Sequence, residues 1–272
     1  MEYLVIDRLK ESLVLIKRNP LRLAYPVLVD LIFLFIYGFL SYFIFLKIDY
    51  YMSSIFEQIT QNTAVFEDAF VFGGLLSAVK NVPGTDVLLK KAFLWILALA
   101  VLSYILYCVF QAVSWRLSIN IAKKGKIKQY MKRFFLVNIV WAFLFAVYNA
   151  LAIFIGYRKE ILSRYFEVSD FSLLLVVFGF VLIYFALISY SLIARHKAGE
   201  SLKKTFVFGV KKIKYFLPMY LILFIAFLII NLIMTYSSSV GVWLYVVLGV
   251  FVLLPFFAWA RVYAYLVVEK IS

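Results

Sequence analysis

The sequence predicts an all-α integral membrane protein with six transmembrane helices, built as three repeated units of an interfacial amphipathic helix followed by a helical hairpin. Three observations predict it. Hydrophobic residues make up 66% of the 272-residue chain and charged residues 15%, whereas an ordinary soluble protein is about half apolar. The excess is gathered in blocks of about twenty residues or more, long enough at about 1.5 Å per residue to cross the roughly 30 Å of bilayer hydrocarbon. The basic residues fall in alternate connections between those blocks. Aromatic residues reach 20%, led by 29 Phe. That exceeds what interfacial belts require, so the surplus is assigned to packing between helices and against lipid.

Taking the chain in order, residues 4–16 place Leu9, Leu13 and Ile16 on one helical face, with Arg8, Glu11 and Lys17 elsewhere. This spacing suits a helix lying in the membrane interface. Asn19-Pro20 ends it, because the residue before a proline avoids the helical region. No cleavable signal peptide is visible in the mixed charges of the first twenty residues, so the first span is expected to act as the insertion signal.

That span covers 23–46, with Asp30 as its single charge. An outer loop over 47–91 follows, holding Glu67-Asp68, several apolar runs and the turn signal Asn-Val-Pro-Gly-Thr-Asp at 81–86. Its apolar content predicts short helices lying against the outer end of the bundle. The remaining spans are 92–115, 134–157, 171–194, 215–236 and 240–268. Ser237-Ser238-Ser239 reads as the tight connection between the last two. Trp95, Trp115, Trp243 and Trp259 fall near span ends and read as aromatic belts.

The N-terminal segment and the second and fourth connections are strongly basic, while the others are balanced or neutral. Positive-inside bias then places the protein in the cell membrane as a multi-pass chain with both termini cytoplasmic. The formal charge of +14 is explained by these connections, which rules against a nucleic-acid partner. Protein partners are not legible.

The three units begin near residues 11, 125 and 195. Glu11-Ser12-Leu13 and Glu200-Ser201-Leu202 open two of them in the same words, with Pro26 and Pro218 further on. The middle unit shares only charge and hydropathy. Two spans per unit give a parallel repeat rather than an inverted one.

On Gly199-Glu200-Ser201-Leu202 leading into a basic helix, and on the closing Leu254-Pro255 with Ala260 and Tyr265, the chain resembles a family of bacterial and archaeal six-span membrane proteins. That family includes the membrane domain found beside some glycerophosphodiester phosphodiesterases. The resemblance implies an architecture of stacked helical hairpins. It implies no phosphodiesterase activity, since that chemistry belongs to a separate soluble domain which this sequence does not contain.

Few residues carry candidate chemistry. Asp30 and Arg261 are the ionisable groups inside predicted spans, and an intramembrane charge is expensive enough to mark function by default. Three readings stand. The two can pair and latch the first span to the last. Arg261 can instead snorkel to the headgroups and Asp30 lie at the interface. Or Asp30 can serve transport. Asn138, Asn149, Asn231 and Gln111 are the polar bundle positions, read as interhelical hydrogen bonders.

Lys203, Lys204, Lys211 and Lys212 are the candidate contacts for anionic headgroups at the cytoplasmic face. Cys108, the one cysteine, reads as a small buried side chain, and His196, the one histidine, as interfacial. Neither residue type can form a cluster, and no Gly-rich phosphate loop, HExxH or GxSxG pattern occurs, so no catalytic, cofactor-binding or metal-ligating set is assigned. The expected function is a non-enzymatic membrane scaffold or assembly module contacting anionic lipid. The alternatives are a small-solute transporter or channel using the bundle interior, and then a lipid-acting membrane enzyme.

Overall fold

The computed structural model describes residues 3–61, 83–162 and 172–271. Among them there are helices and no strands. In chain order these are α1 (Tyr3–Arg18), α2 (Pro20–Gln61), α3 (Thr85–Ala122), α4 (Ile127–Leu162), α5 (Ser172–Leu192), α6 (Ala198–Lys211), α7 (Ile213–Val240), α8 (Val242–Leu248), a π-helical turn (Gly249–Leu253) and α9 (Leu254–Ile271). Six of the helical stretches are long and apolar enough to cross a membrane, with the last formed by α8, the π turn and α9 together. The protein is therefore an all-α, six-span membrane protein.

The helices run further than the hydrophobic blocks that announced them. Residues 47–61 and 85–91, expected in the outer loop, continue α2 and start α3. Hydropathy marks where a helix leaves hydrocarbon, while the helix itself stops only where its backbone is broken. At 83–84 such a break is visible. Gly84 sits at φ +87, a left-handed conformation that favours glycine, and Pro83 before it lacks an N–H. Glu67-Asp68 and the rest of 62–82 in the expected outer loop lie outside the described residues.

Two further expectations are corrected, and the last span, expected over 240–268, is present with a break in it. Ser237, Ser238 and Ser239 belong to α7, each hydroxyl donating to the carbonyl three residues back, and the chain passes into α8 at Gly241. The middle unit has no separate interfacial helix: α4 runs unbroken from Ile127 through the basic Lys128, Lys132 and Arg133 into its span. No proline or glycine separates those residues from Phe134, whereas Asn19-Pro20 divides α1 from α2. The last span is not one uniform helix. The π turn precedes Pro255, and the N–H of Leu254 reaches the carbonyl of Gly249. A proline lacks its own donor and crowds the carbonyl four residues back, and a wide turn relieves that crowding.

The chain packs as two compact units, residues 1–31 with 108–272, and residues 32–107. In the smaller unit the parts of α2 after residue 31 and of α3 before residue 108 share a Ser103 Oγ to Tyr37 hydroxyl bond at 3.4 Å and place Lys91 over the Tyr51 ring. The larger unit is built around α9. Every residue from Ala260 to Val268 is buried, the signature of a helix enclosed on all sides. Val5 of α1, Ile188 and Leu192 of α5, and Phe216 and Met219 of α7 pack with Tyr263 and Val267 in one cluster. A second cluster gathers Trp115, Phe134, Trp141, Tyr190 and Tyr265. Large apolar side chains elsewhere on the spans point outward, Phe35 at 76% and Phe251 at 74% exposure. Water would not tolerate so much exposed apolar surface, but a bilayer does.

The two short helices α1 and α6 turn their small side chains toward the protein. Ser12 of α1 is fully buried and accepts the indole N–H of Trp259 at 3.0 Å, while Leu13 is half exposed. In α6 the buried side is Ser201, Thr205 and Gly209, while Phe206, Val210 and the following Ile213 face outward. In lipid an apolar face gains nothing by leaving its surroundings, whereas small residues let backbones approach closely.

Gly209 shows how close that approach is. Its carbonyl accepts the Tyr184 hydroxyl at 2.8 Å. A Cβ added there would lie 2.5 Å from the Phe185 ring and meet Ile188 beyond it. Gly209→Ala is therefore expected to destabilise the detergent-solubilised protein by about 1–3 kcal/mol through overpacking. Thermal unfolding measures this, and a Gly199→Ala control, where the added Cβ meets nothing within 4 Å, should be neutral.

Basic segments converge on the last turn of α9. Glu269 pairs with Arg195 and, at 3.3 Å, with Lys123, and the ammonium of Lys212 donates to the carbonyl of Ile271. Cations there also meet the negative end of the helix dipole.

Candidate functional site

The candidate site is a polar network inside the larger unit, assembled from α2, α3 and α9. Asp30 lies on α2, one turn after Pro26. Gln111, Ser114 and Trp115 share one face of α3 by their three- and four-residue spacing. Arg261 projects from α9, where Ala258, Ala260 and Ala264 around it leave room for a guanidinium.

The geometry is closed. Arg261 Nη1 donates to Asp30 Oδ2 at 2.6 Å and Nη2 to Oδ1 at 3.2 Å, a bidentate pair. Gln111 bridges both partners, accepting from Arg261 Nη2 at 2.9 Å and donating to Asp30 Oδ1 at 3.2 Å. The Ser114 hydroxyl accepts from Arg261 Nη1 and donates to the carbonyl of Pro26 at 3.2 Å. The guanidinium stands 5.9 Å from the Trp115 ring centroid, a cation–π distance. Asp30 is 4% exposed and Arg261 8%, so neither reaches for the headgroups. Trp115 is buried beside them and does not belong to an interfacial belt. Trp259 is half-buried on Ser12, and Trp243 is exposed.

A buried ion pair in such surroundings adds little net stability over an apolar replacement, but stranding one partner is costly. Chemically, then, the network holds three helices in one register. Asp30 accepts three hydrogen bonds within it.

The other sequence-selected residues are scattered. Asn138 is buried, accepts the Tyr190 hydroxyl at 2.7 Å and donates to Phe134 within its own helix. Asn149 is exposed and, among the described residues, bonds back to Phe145, and Asn231 is exposed on α7. Among the described residues, Asn138 and Gln111 thus bond across helices, and Asn149 does not. Cys108 is fully buried.

Of the four lysines on and after α6, Lys204 pairs with Glu200 at 2.8 Å and touches His196, which itself lies 3.2 Å from Glu200. That Lys204 hydrogen bond, against the opposing effect of desolvation and with the charges of Lys204, His196 and Lys197, holds the Glu200 carboxyl below the usual carboxylate range. Its contribution is present above the unfolded carboxylate value and is lost as pH falls through the folded one. Lys212 is spent on the Ile271 carbonyl and the Phe208 ring. Lys203 and Lys211 remain exposed.

Sequence reasoning missed Ser114 and Trp115, as well as the Trp141 to Ser189 bond at 2.9 Å and the Tyr130 to Tyr190 carbonyl bond at 2.8 Å. The one available signal was the spacing of Gln111, Ser114 and Ser118 on one face of an uncharged span. Comparison with protein-family models, curated proteins and solved structures finds no match for the chain.

Proposed function

We propose that the chain is a non-enzymatic membrane module, a scaffold or assembly unit that contacts anionic lipid through its basic face. The observation that carries this reading is the closed network at Asp30. Asp30 and Arg261 are used on one another, which is how a fixed support is built and not how a coupling site is left open. A solute flux in proteoliposomes that disappears in Asp30→Asn would overturn it in favour of transport.

The proposal includes orientation, with both termini cytoplasmic in the cell membrane. Its support is that α1, the 123–126 connection and the 195–214 segment, the three basic stretches, all belong to the larger unit. Two of them hold the last turn of α9 directly. Internal repetition and kinship with the six-span family belong to the same proposal and concern architecture alone. The burial of Ser12 and Ser201 at matching places in their Glu-Ser-Leu triplets supports the repeat.

Lipid contact then falls on Lys203 and Lys211, since Lys204 and Lys212 are engaged elsewhere. Each surface lysine near an anionic leaflet contributes about 1 kcal/mol, roughly fivefold in local enrichment, and salt screens it. Lys203→Gln/Lys211→Gln is expected to lower the enrichment of phosphatidylglycerol over phosphatidylcholine around the protein. Native mass spectrometry of protein released from mixed-lipid nanodiscs reads this ratio. An unchanged ratio, or a wild-type ratio indifferent to salt, would remove the lipid part.

A further inference from the structure

A second cluster of charge, separate from the Asp30 network, carries no internal explanation. Arg116 of α3 is 5% exposed. Among the described residues it has no carboxylate partner. Its Nη2 donates to the Lys123 carbonyl at 3.3 Å and its guanidinium lies 6.0 Å from the Tyr130 ring, while Nε has no hydrogen-bond partner. A buried guanidinium without a countercharge is among the more expensive features a membrane protein can keep.

Beside it is a pocket of about 420 Å³ lined by Arg22, Tyr25, Asn120, Lys124 and Gly125, among others. Arg22 and Lys124 are exposed there and, among the described residues, without acidic partners, whereas neighbouring Lys123 is already paired with Glu269. The Asn120 side-chain oxygen is buried and unpartnered. Gly125 forms the wall between this pocket and Arg116. A Cβ on Gly125 would lie 1.5 Å from Arg116 Nη2, so glycine is what lets the guanidinium come up to that wall.

We propose that this pocket binds a phosphate oxyanion. Arg22 and Lys124 contact it directly, and Arg116 supplies field from behind Gly125. The Asn120 amide turns its nitrogen toward the anion, a half-rotation that exchanges two nearly isosteric groups. Three cations and no acid at one place make the pocket selective for negative charge, and guanidinium with ammonium is the pairing that phosphate recognition uses. The phosphate belongs either to a lipid headgroup or to a soluble ion, and the same residues serve both. This goes beyond the reading of the basic face, because it requires one saturable site at a defined pocket and not a charged surface.

The test uses the delipidated full chain in neutral detergent with two probes, a short-chain phosphatidylglycerol and inorganic phosphate, titrated against thermal stability and by native mass spectrometry. Saturable binding of one copy of either probe is expected, and the probe that binds names the source. In Arg22→Gln/Lys124→Gln the apparent affinity should fall by about tenfold or more. The charge-matched Lys128→Gln/Lys132→Gln, exposed on the same basic stretch, should retain it. Gly125→Ala, which displaces the Arg116 guanidinium while keeping every charge, should also weaken binding. Binding that is unchanged in Arg22→Gln/Lys124→Gln, equally lost in the charge-matched control, or absent for both probes overturns the site.

Discussion

Asp30→Asn is expected to destabilise the protein by about 3–5 kcal/mol, the cost of leaving one member of a buried ion pair without its partner. The stranded group is Arg261, enclosed on α9. Arg261→Gln strands the Asp30 carboxylate instead and should cost a comparable amount. The double variant removes both charges and keeps two amides near Gln111 and Ser114. It should recover most of the loss, giving a clearly non-additive cycle. Unfolding in mixed micelles supplies the three values. Purely additive losses would mean the two residues do not act as a pair.

Trp141→Ala is expected to cost a similar amount, about 3–5 kcal/mol, for a different reason. Trp141 is 1% exposed among Phe134, Tyr190 and Ile193, and its indole donates to Ser189 at 2.9 Å. Within a bilayer the side chain is not kept inside by avoidance of water, because lipid is as apolar as the core. What holds it is dispersion contact across a filled interface, and that is lost when a cavity remains. Trp141→Phe keeps most of the contact. It leaves Ser189 still donating to the Ala186 carbonyl at 2.8 Å, so about 1 kcal/mol is expected. If Trp141→Ala and Trp141→Phe cost the same, the hydrogen bond rather than the packing would be the source of stability.

The six spans were legible because the bilayer imposes a length and a composition that a single sequence displays directly. The helix ends were not. Residues 47–61 carry Lys47, Asp49 and Glu57 and read as a loop by hydropathy, yet nothing in them breaks a helix, so α2 continues. Which sides of α1 and α6 meet the protein was not legible for a related reason. Leu13 and Val210 look like inward-facing residues under the rules for water, whereas lipid leaves the small Ser12, Ser201 and Gly209 to make the closest contacts. At the site, Asp30 and Arg261 stood out as charges in apolar runs. Ser114, Trp115 and Arg116 did not, because their meaning comes from the register between helices and from a neighbouring glycine, neither of which a linear pattern encodes.

The claim on which the rest depends is that the three basic stretches lie together on the side of both termini. Cys108, the sole cysteine, is fully buried, so a Cys108→Ala background allows single cysteines to be placed at Lys128 and Lys203, both exposed. A membrane-impermeant maleimide applied to intact cells should leave both positions unlabelled, and should modify both once the membrane is opened. Labelling of either position from outside intact cells would contradict the orientation.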